Sequence, residues 1–256
     1  MYRTMQVAVY SAILLAVLSA CASAVPPSRL AAYVGSPGDD LSFSPDLPPR
    51  PVRAGLVLIP DTSARDAAPA LPDEALARLT ESLQRELSHA LPIVIERLIP
   101  AEGISPAESS SQLTELGQQY GVDYLVFVVV SSTEQEYPMT IFLGWTTHSQ
   151  PGWRRDNWSL IEIALVDVKT GRTLIRAEGR GWATLDRPTA PGINQWYPVI
   201  WLRPQDPVRR IWPPTYAGAP NTLRVVAMNE AVKRVVLNFQ EAWIQKRESE
   251  WQTAQG

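Results

Sequence analysis

The run Tyr124-Leu125-Val126-Phe127-Val128-Val129-Val130 carries no charge and is rich in β-branched residues. Alternate residues of a strand point to opposite faces, and here both sets are apolar. The segment therefore reads as the most buried strand of a sheet covered on both sides. A second run, Gly55-Leu56-Val57-Leu58-Ile59, makes the same demand and is ended by Pro60-Asp61-Thr62-Ser63. Two helices lie between these strands. From Pro72 or Asp73 to Ala90, a stripe of Leu76, Leu79, Leu83, Leu87 and Ala90 leaves Glu74, Arg78, Glu81, Arg85 and Glu86 on other faces. Pro92 stops that helix, and Ile93-Val94-Ile95 begins another strand. Ser109 to Tyr120 turns Leu113, Leu116 and Tyr120 inward, with Gly121 where a left-handed cap is usual. The order strand-helix-strand-helix-strand predicts parallel pairing through right-handed crossovers.

The next segment fixes its own register. Leu160 to Val168 and Arg172 to Ala183 flank Lys169-Thr170-Gly171, which suits a hairpin loop with Gly171 left-handed. Pairing Val168 with Arg172 sets Leu165 opposite Ile175, Ile163 opposite Ala177 and Ile161 opposite Gly179. One face is then apolar or small, and the other carries Glu162, Arg176, Glu178 and Arg180. A slip of one residue would bury charge. Gly179-Arg180-Gly181 reads as a close-packing site within the strand. A terminal helix from Thr222 to Lys246 repeats Val225, Met228, Val232, Val235, Phe239 and Ala242, with Arg224, Lys233 and Arg234 around them. Trp243 and Trp251 lie off this stripe as candidates for contacts between subunits. The fold class expected is α/β (α+β), a mixed sheet of about five strands in the order β-α-β-α-β-β-β-α with helices packed on it.

The chain begins with Arg3, an apolar stretch from Val7 to Leu18, and Leu18-Ser19-Ala20-Cys21, which holds its one cysteine. A dozen apolar residues suit a signal-peptide core and are too few to span a bilayer stably. The four residues resemble a bacterial lipobox. That resemblance implies cleavage between Ala20 and Cys21 and a diacylglycerol on the Cys21 thiol. Ala22, rather than Asp, then points to the outer membrane, with the body of the protein in the periplasm. Losing residues 1–20 removes one basic residue and no acidic one, so the net charge becomes one unit more negative than −3. Nothing in that balance supports nucleic-acid binding. Residues 21–52 are rich in Pro, Ser, Gly and Asp and read as a semi-rigid tether, with Leu30, Tyr33 and Val34 able to dock locally. The domain organisation expected is a signal peptide (1–20), this tether, one periplasmic domain (53–246) and a polar tail (247–256).

Gly55 to Pro60, the helix ending at Leu91, Gly121-Val122-Asp123-Tyr124-Leu125-Val126 and Val166-Asp167-Val168-Lys169-Thr170-Gly171 resemble the compact α/β domain of envelope lipoproteins. That group includes the curli-secretion, Pel-export and penicillin-binding-protein-activator lipoproteins. Ser28 to Tyr33, Gly121 to Val126 and Trp158 to Arg176 are similar, more narrowly, to the rhombotail lipoproteins. The resemblance covers roughly residues 28–185 and the last helix, and its motifs mark fold rather than chemistry. Some rhombotail relatives carry a C-terminal sorting tail, whereas Arg247 to Gly256 is polar here.

Groups for catalysis are sparse. The two histidines, His89 and His148, are far apart in sequence, and Cys21 is committed to lipid, so no metal site and no cofactor are expected. Glu134 with Glu136 and Asp39 with Asp40 read as solvated pairs, and Asp61 as a turn residue. All nine tryptophans follow Gly144. Trp196, Tyr197, Trp201 and Trp212 fall in a proline-rich insertion from Asp186 to Pro220, with Arg203, Arg209 and Arg210 able to meet anionic groups. Such rings suit a partner, a membrane interface or a packed cover. The reading is a non-enzymatic adaptor or assembly factor, anchored in the inner leaflet of the outer membrane through Cys21. It would contact an unidentified envelope protein or further copies of itself. An oligomeric secretion or export subunit is the alternative, and a periplasmic hydrolase a remote one. A pore would require amphipathic hairpins, and the polar stretch Gly152 to Asn157 argues against a return strand after Met139 to Thr146.

Overall fold

The computed structural model describes residues 25–35, 47, 51–104, 106, 109–142, 149–188, 198–203 and 210–255. Its strands are β1 (Val52–Pro60), β2 (Ile93–Ile99), β3 (Tyr124–Phe142), β4 (Ser149–Asp167), β5 (Thr173–Pro188), β6 (Val199–Leu202) and β7 (Arg210–Ile211). They form one sheet in the order β2-β1-β3-β4-β5-β6-β7. β1 pairs in parallel with β2 and β3, and every later pair is antiparallel. The helices are a single turn α1 (Ala31–Val34), then α2 (Asp73–Ala90), α3 (Ser109–Tyr120) and the long α4 (Ala219–Gln255).

The α/β class and the first three strands follow the apolar pattern, and the hairpin register is the expected one: Leu165 faces Ile175, Ile163 faces Ala177 and Ile161 faces Gly179. Gly121 and Gly171 adopt positive φ, 65° and 69°, as their turn positions require. The strand count departs from five to seven. β6 and β7 arise inside the insertion, where Pro-rich flanks hide two short strands from a reading of composition. The return strand that polarity argued against also exists. β4 begins at Ser149 and pairs with β3 along its whole length, and its polar stretch Arg154 to Asn157 lies opposite Tyr137, Glu136, Gln135 and Glu134 instead of an apolar core.

β1 stops pairing at Pro60 opposite Val130, whereas β3 continues to Phe142. The sheet therefore has an inner half around β1–β5 and an outer half built from the ends of β3–β5 with β6 and β7. A first face of the inner half packs Val126, Val128, Ile161, Ile163 and Leu165 under Leu79, Leu83 and Leu87 of α2 and Met228, Val232, Val235 and Phe239 of α4. A second face packs Leu125, Phe127, Val129, Ala164 and Val166 with Leu113 of α3 and Leu30 and Tyr33 around α1. Fully burying each such side chain contributes about 1.5–3 kcal/mol.

α4 departs from expectation at three points. It continues through the polar tail to Gln255, since Glu, Gln, Lys and Arg are good helix formers and polarity there marks exposure, not an end. Trp243, set apart as a subunit-contact candidate, is buried in the first core, while Trp251 is 71% exposed. Arg224 is buried as well. The helix backbone rests directly on β5: a methyl at Gly181 would press on the Ala227 carbonyl and lie 2.8 Å from the Ala231 nitrogen, and one at Gly179 would lie 2.7 Å from Val235 Cα. These obstacles are backbone atoms and cannot rotate away. Gly181→Ala is expected to lift α4 and destabilise the fold by about 3 kcal/mol, lowering Tm by about 6–12 °C. Thermal and urea unfolding measure this, and an unchanged midpoint would show that the helix can slide on the sheet.

Candidate interaction surface

The second face is covered in its inner half by the chain's own N-terminal segment. Glu162 projects there from β4 and is 3% exposed. Ser28 Oγ donates to its Oε1, and the backbone N–H groups of Arg29 and Leu30 donate to Oε2 at 2.7 and 3.1 Å. Arg29 also pairs through Nε with Asp61 Oδ2 at 3.1 Å and donates through Nη2 to Ser63. Tyr33 donates its hydroxyl to the same Asp61 oxygen at 3.2 Å and sets its ring 5.6 Å from Phe127. Arg176 donates to the carbonyls of Val34 and Gly35. Asp61 meanwhile accepts the Ser63 N–H at 2.8 Å, the turn expected of it. Burial pushes the Asp61 carboxyl up, but the Ser63 bonds and Arg29 outweigh it and hold the group below the usual carboxylate range. Farther along, Leu47 donates to Glu250 at 2.7 Å and its carbonyl accepts from Arg247 at 2.9 Å. Composition makes these residues a spacer, yet they are packed parts of the domain, because Glu162, Asp61 and Glu250 offer acceptors that composition cannot reveal. Glu162, placed by its register among surface charges, is buried for that reason.

In the outer half the second face presents rings and guanidinium groups. Trp158 and Trp182 pair across β4 and β5 and stack, centroids 5.7 Å apart at 22°. Arg203 lies 5.9 Å from the Trp182 ring, and Arg210 lies 5.0 Å from that of Trp201. The carboxylates of the same face are buried and bonded to their neighbours. Asp156 accepts from Thr184 Oγ1 at 2.6 Å and from the Tyr137 hydroxyl at 2.9 Å, and Arg203 Nε donates to Thr184 at 3.0 Å. Arg154 grips Asp186 with two bonds of 2.7 and 2.8 Å. Asp156, Thr184 and Asp186 are buried, Trp182 is 37% exposed and Arg210 is exposed. Trp201 buries its indole nitrogen without an acceptor.

The first face of the outer half is tied by charge. Arg224 of α4 meets Glu134 of β3 at 2.6 Å with both side chains nearly enclosed. Asn157 donates to the same carboxylate at 3.3 Å. Glu136 accepts from Arg155 and, at 2.7 Å, from Arg187. Burial alone would raise its pKa, but the two arginines hold it below the ordinary value. Glu134 is thus a nearly enclosed ion-pair partner and not a solvated one, whereas Glu136 is ion-paired while still exposed. The hairpin carries ionised groups on both faces here, Glu134, Glu136 and Arg155 on one and Arg154 and Asp156 on the other, so neither face is the apolar row of a lipid-facing barrel strand.

Among the described residues no three His, Cys, Asp or Glu side chains are grouped to hold a metal, and no helix is long and apolar enough to cross a membrane. His89 is exposed on the last turn of α2. Of the expected site residues, Trp201 sits in β6 and Trp212 just beyond β7, 48% exposed. Ala20, Cys21, Trp196 and Tyr197, like His148, Asp39 and Asp40, lie outside the described residues. Trp158 and Trp182 were missed as a pair, although the hairpin register extended by three positions beyond Ile161 and Gly179 brings them opposite each other.

No family model and no curated protein sequence matches this chain. Solved structures similar to it include a protein described as a homologue of a neuraminyllactose-binding hemagglutinin, from Helicobacter pylori. It is 10% identical, with a TM-score of 0.40, over 81% of this chain and 96% of that one. A PelC dodecamer from Paraburkholderia phytofirmans is 13% identical, with a TM-score of 0.28, over 78% and 95% of the two chains. Lipoprotein GNA1162 from Neisseria meningitidis is 14% identical, with a TM-score of 0.30, over 56% and 88%.

Glu162→Ala is expected to free residues 25–35 from the sheet at a cost of about 2 kcal/mol. Limited proteolysis should then cut that segment at protease concentrations that leave the parent chain whole. Equal resistance would mean that Leu30 and Tyr33 suffice to hold it. Asp61 gives a pH signature. Its folded pKa lies below its unfolded one, so its contribution is complete above the ordinary carboxylate value and disappears as pH falls through the folded pKa. Urea midpoints measured downward from about pH 4 should decline less steeply in Asp61→Asn than in the parent.

Proposed function

We propose that this chain is a lipid-anchored protein of the bacterial envelope that works by contact and not by chemistry, an adaptor or assembly factor attached to the outer membrane through Cys21. The observation that carries the reading is the outer half of the second face: stacked Trp158 and Trp182, Trp201, and the guanidinium groups of Arg203 and Arg210 beside buried carboxylates that Thr184 and Arg154 already occupy. Aromatic and arginine side chains held rigid and part-exposed are what recognition surfaces use, since little conformational entropy is lost when they engage. No described cluster offers a nucleophile with a base and an orienting group, and Glu134 and Glu136 are paired with arginines.

Self-association is a second reading with its own support. Leu237, Ile244 and Trp251 recur every seven residues along α4 and are 62%, 49% and 71% exposed, a stripe suited to a helix of another copy.

Cys21→Ser is expected to abolish metabolic lipid labelling and release the protein from the membrane fraction. In the lipidated parent, Trp182→Ala with Arg203→Gln should weaken the contact made by the face by about 2 kcal/mol or more, roughly thirtyfold. Native mass and cross-linked neighbours in mild detergent read this out. Persistence of label in Cys21→Ser would remove the anchor, and unchanged mass and neighbours in the double variant would rule out a protein contact at this face.

A further inference from the structure

The span between Cys21 and the packed domain is short. Pro26 is already buried and Ser28 is bonded to Glu162, so only four residues separate the cysteine from the first buried one among the described residues, and the five steps reach about 18 Å at full extension. The packed segment also has a direction. It runs back from Val34 and Gly35, held by Arg176 opposite Ala164, to Ser28 at Glu162 and Arg29 at Asp61, where β1 ends. Followed toward Cys21, the chain heads for the outer half of the second face. Trp158 stands four residues from Glu162 along β4 and on the same side, about 13 Å away at the rise of a strand.

Building on the lipid-anchor reading above, we infer that this aromatic and arginine face lies against the bilayer, with Trp158 and Trp182 at headgroup level and Arg203 and Arg210 on lipid phosphates. Indoles with an apolar body and a polar nitrogen concentrate at membrane interfaces. Guanidinium groups match phosphate in geometry and charge. The acidic groups of the same face are occupied: Asp156 and Asp186 are buried and bonded to Thr184, Tyr137 and Arg154 beside them, and the exposed Glu178 is paired with Arg180 at 2.9 Å, which leaves Arg203 and Arg210 with the rings as the outer layer. A protein partner could use the same chemistry. The anchor brings only the bilayer within reach at all times, and that is the occupant the geometry favours.

Cys21 is the sole cysteine, and acylation blocks its thiol, so an introduced cysteine is the one reactive thiol of the lipidated chain. Arg180→Cys puts a fluorophore on the second face beside Trp182, and Glu86→Cys puts one on α2 behind the first face; both native side chains are exposed. The full-length lipidated protein is reconstituted in vesicles of phosphatidylethanolamine and phosphatidylglycerol, three to one, doped with nitroxide lipid. Quenching is expected at position 180 and not at 86. Trp182→Ala with Arg203→Gln should lose it, and a long Gly/Ser insertion after Ala24, which leaves the domain untouched, should diminish it. Equal quenching at the two positions, in protein whose mass shows the lipid on Cys21, overturns the proposal and leaves the anchor standing. A mass without lipid overturns the anchor reading itself, and this one with it. Cross-linking of position 180 to protein in place of quenching by lipid assigns the face to a protein partner and rejects the bilayer.

Discussion

Glu162 puts a carboxylate on the central antiparallel strand of the sheet, where water does not reach. A charge so placed costs several kcal/mol unless donors surround it. The chain meets that demand with its own N-terminal residues, one hydroxyl and two backbone N–H groups. Once they are drawn in, Arg29 reaches Asp61, Tyr33 packs on Phe127 and Leu30 completes the second core. Removing the segment would leave Glu162 uncompensated and the apolar residues of β3 uncovered. Residues 25–35 are therefore a structural layer over the second face.

The two halves of the sheet are held by different physics. In the inner half, apolar side chains fill both faces and the helices pack in the ordinary way. In the outer half the core thins to a small cluster of Ala183, Leu185, Ile200, Leu223 and Ala227 on one face. Ion pairs replace it elsewhere. Exposed pairs contribute about 0–1 kcal/mol each, so Arg187 with Glu136 serves more to fix geometry than to stabilise. The enclosed pair of Arg224 and Glu134 acts differently, because breaking either partner would strand a buried charge. It joins the first turns of α4 to β3 and keeps the outer strands in register with the helix.

What the sequence discloses follows this division. Periodicity locates α2, α3 and the apolar strands, because apolar burial leaves a repeating trace. The hairpin register of Leu165 and Ile175 is legible for the same reason: one face would otherwise bury charge. The outer half leaves no such trace. β4 from Arg154 to Asn157 is polar and lies opposite the equally polar Glu134 to Tyr137, and β6 and β7 are too short to show a period. The burial of Glu162 and Arg224 depends on partners more than 80 residues away in sequence, separations of 132 to Leu30 and 90 to Glu134. Local patterns cannot carry that information. The Trp158 and Trp182 stack was within reach of register arithmetic, and only its extension beyond the apolar pairs was needed.

The docked segment has a mechanical consequence. A load applied at Cys21 does not arrive first at β1. It meets Ser28 to Leu30, where three hydrogen bonds converge on one carboxylate in the middle of the sheet, and Leu47 is clamped separately at the far end of α4. The strap must be sheared from Glu162 before tension can begin to peel β1 from its neighbours. Tension on the N-terminal segment is thus delivered to the central strand of the sheet before it reaches β1.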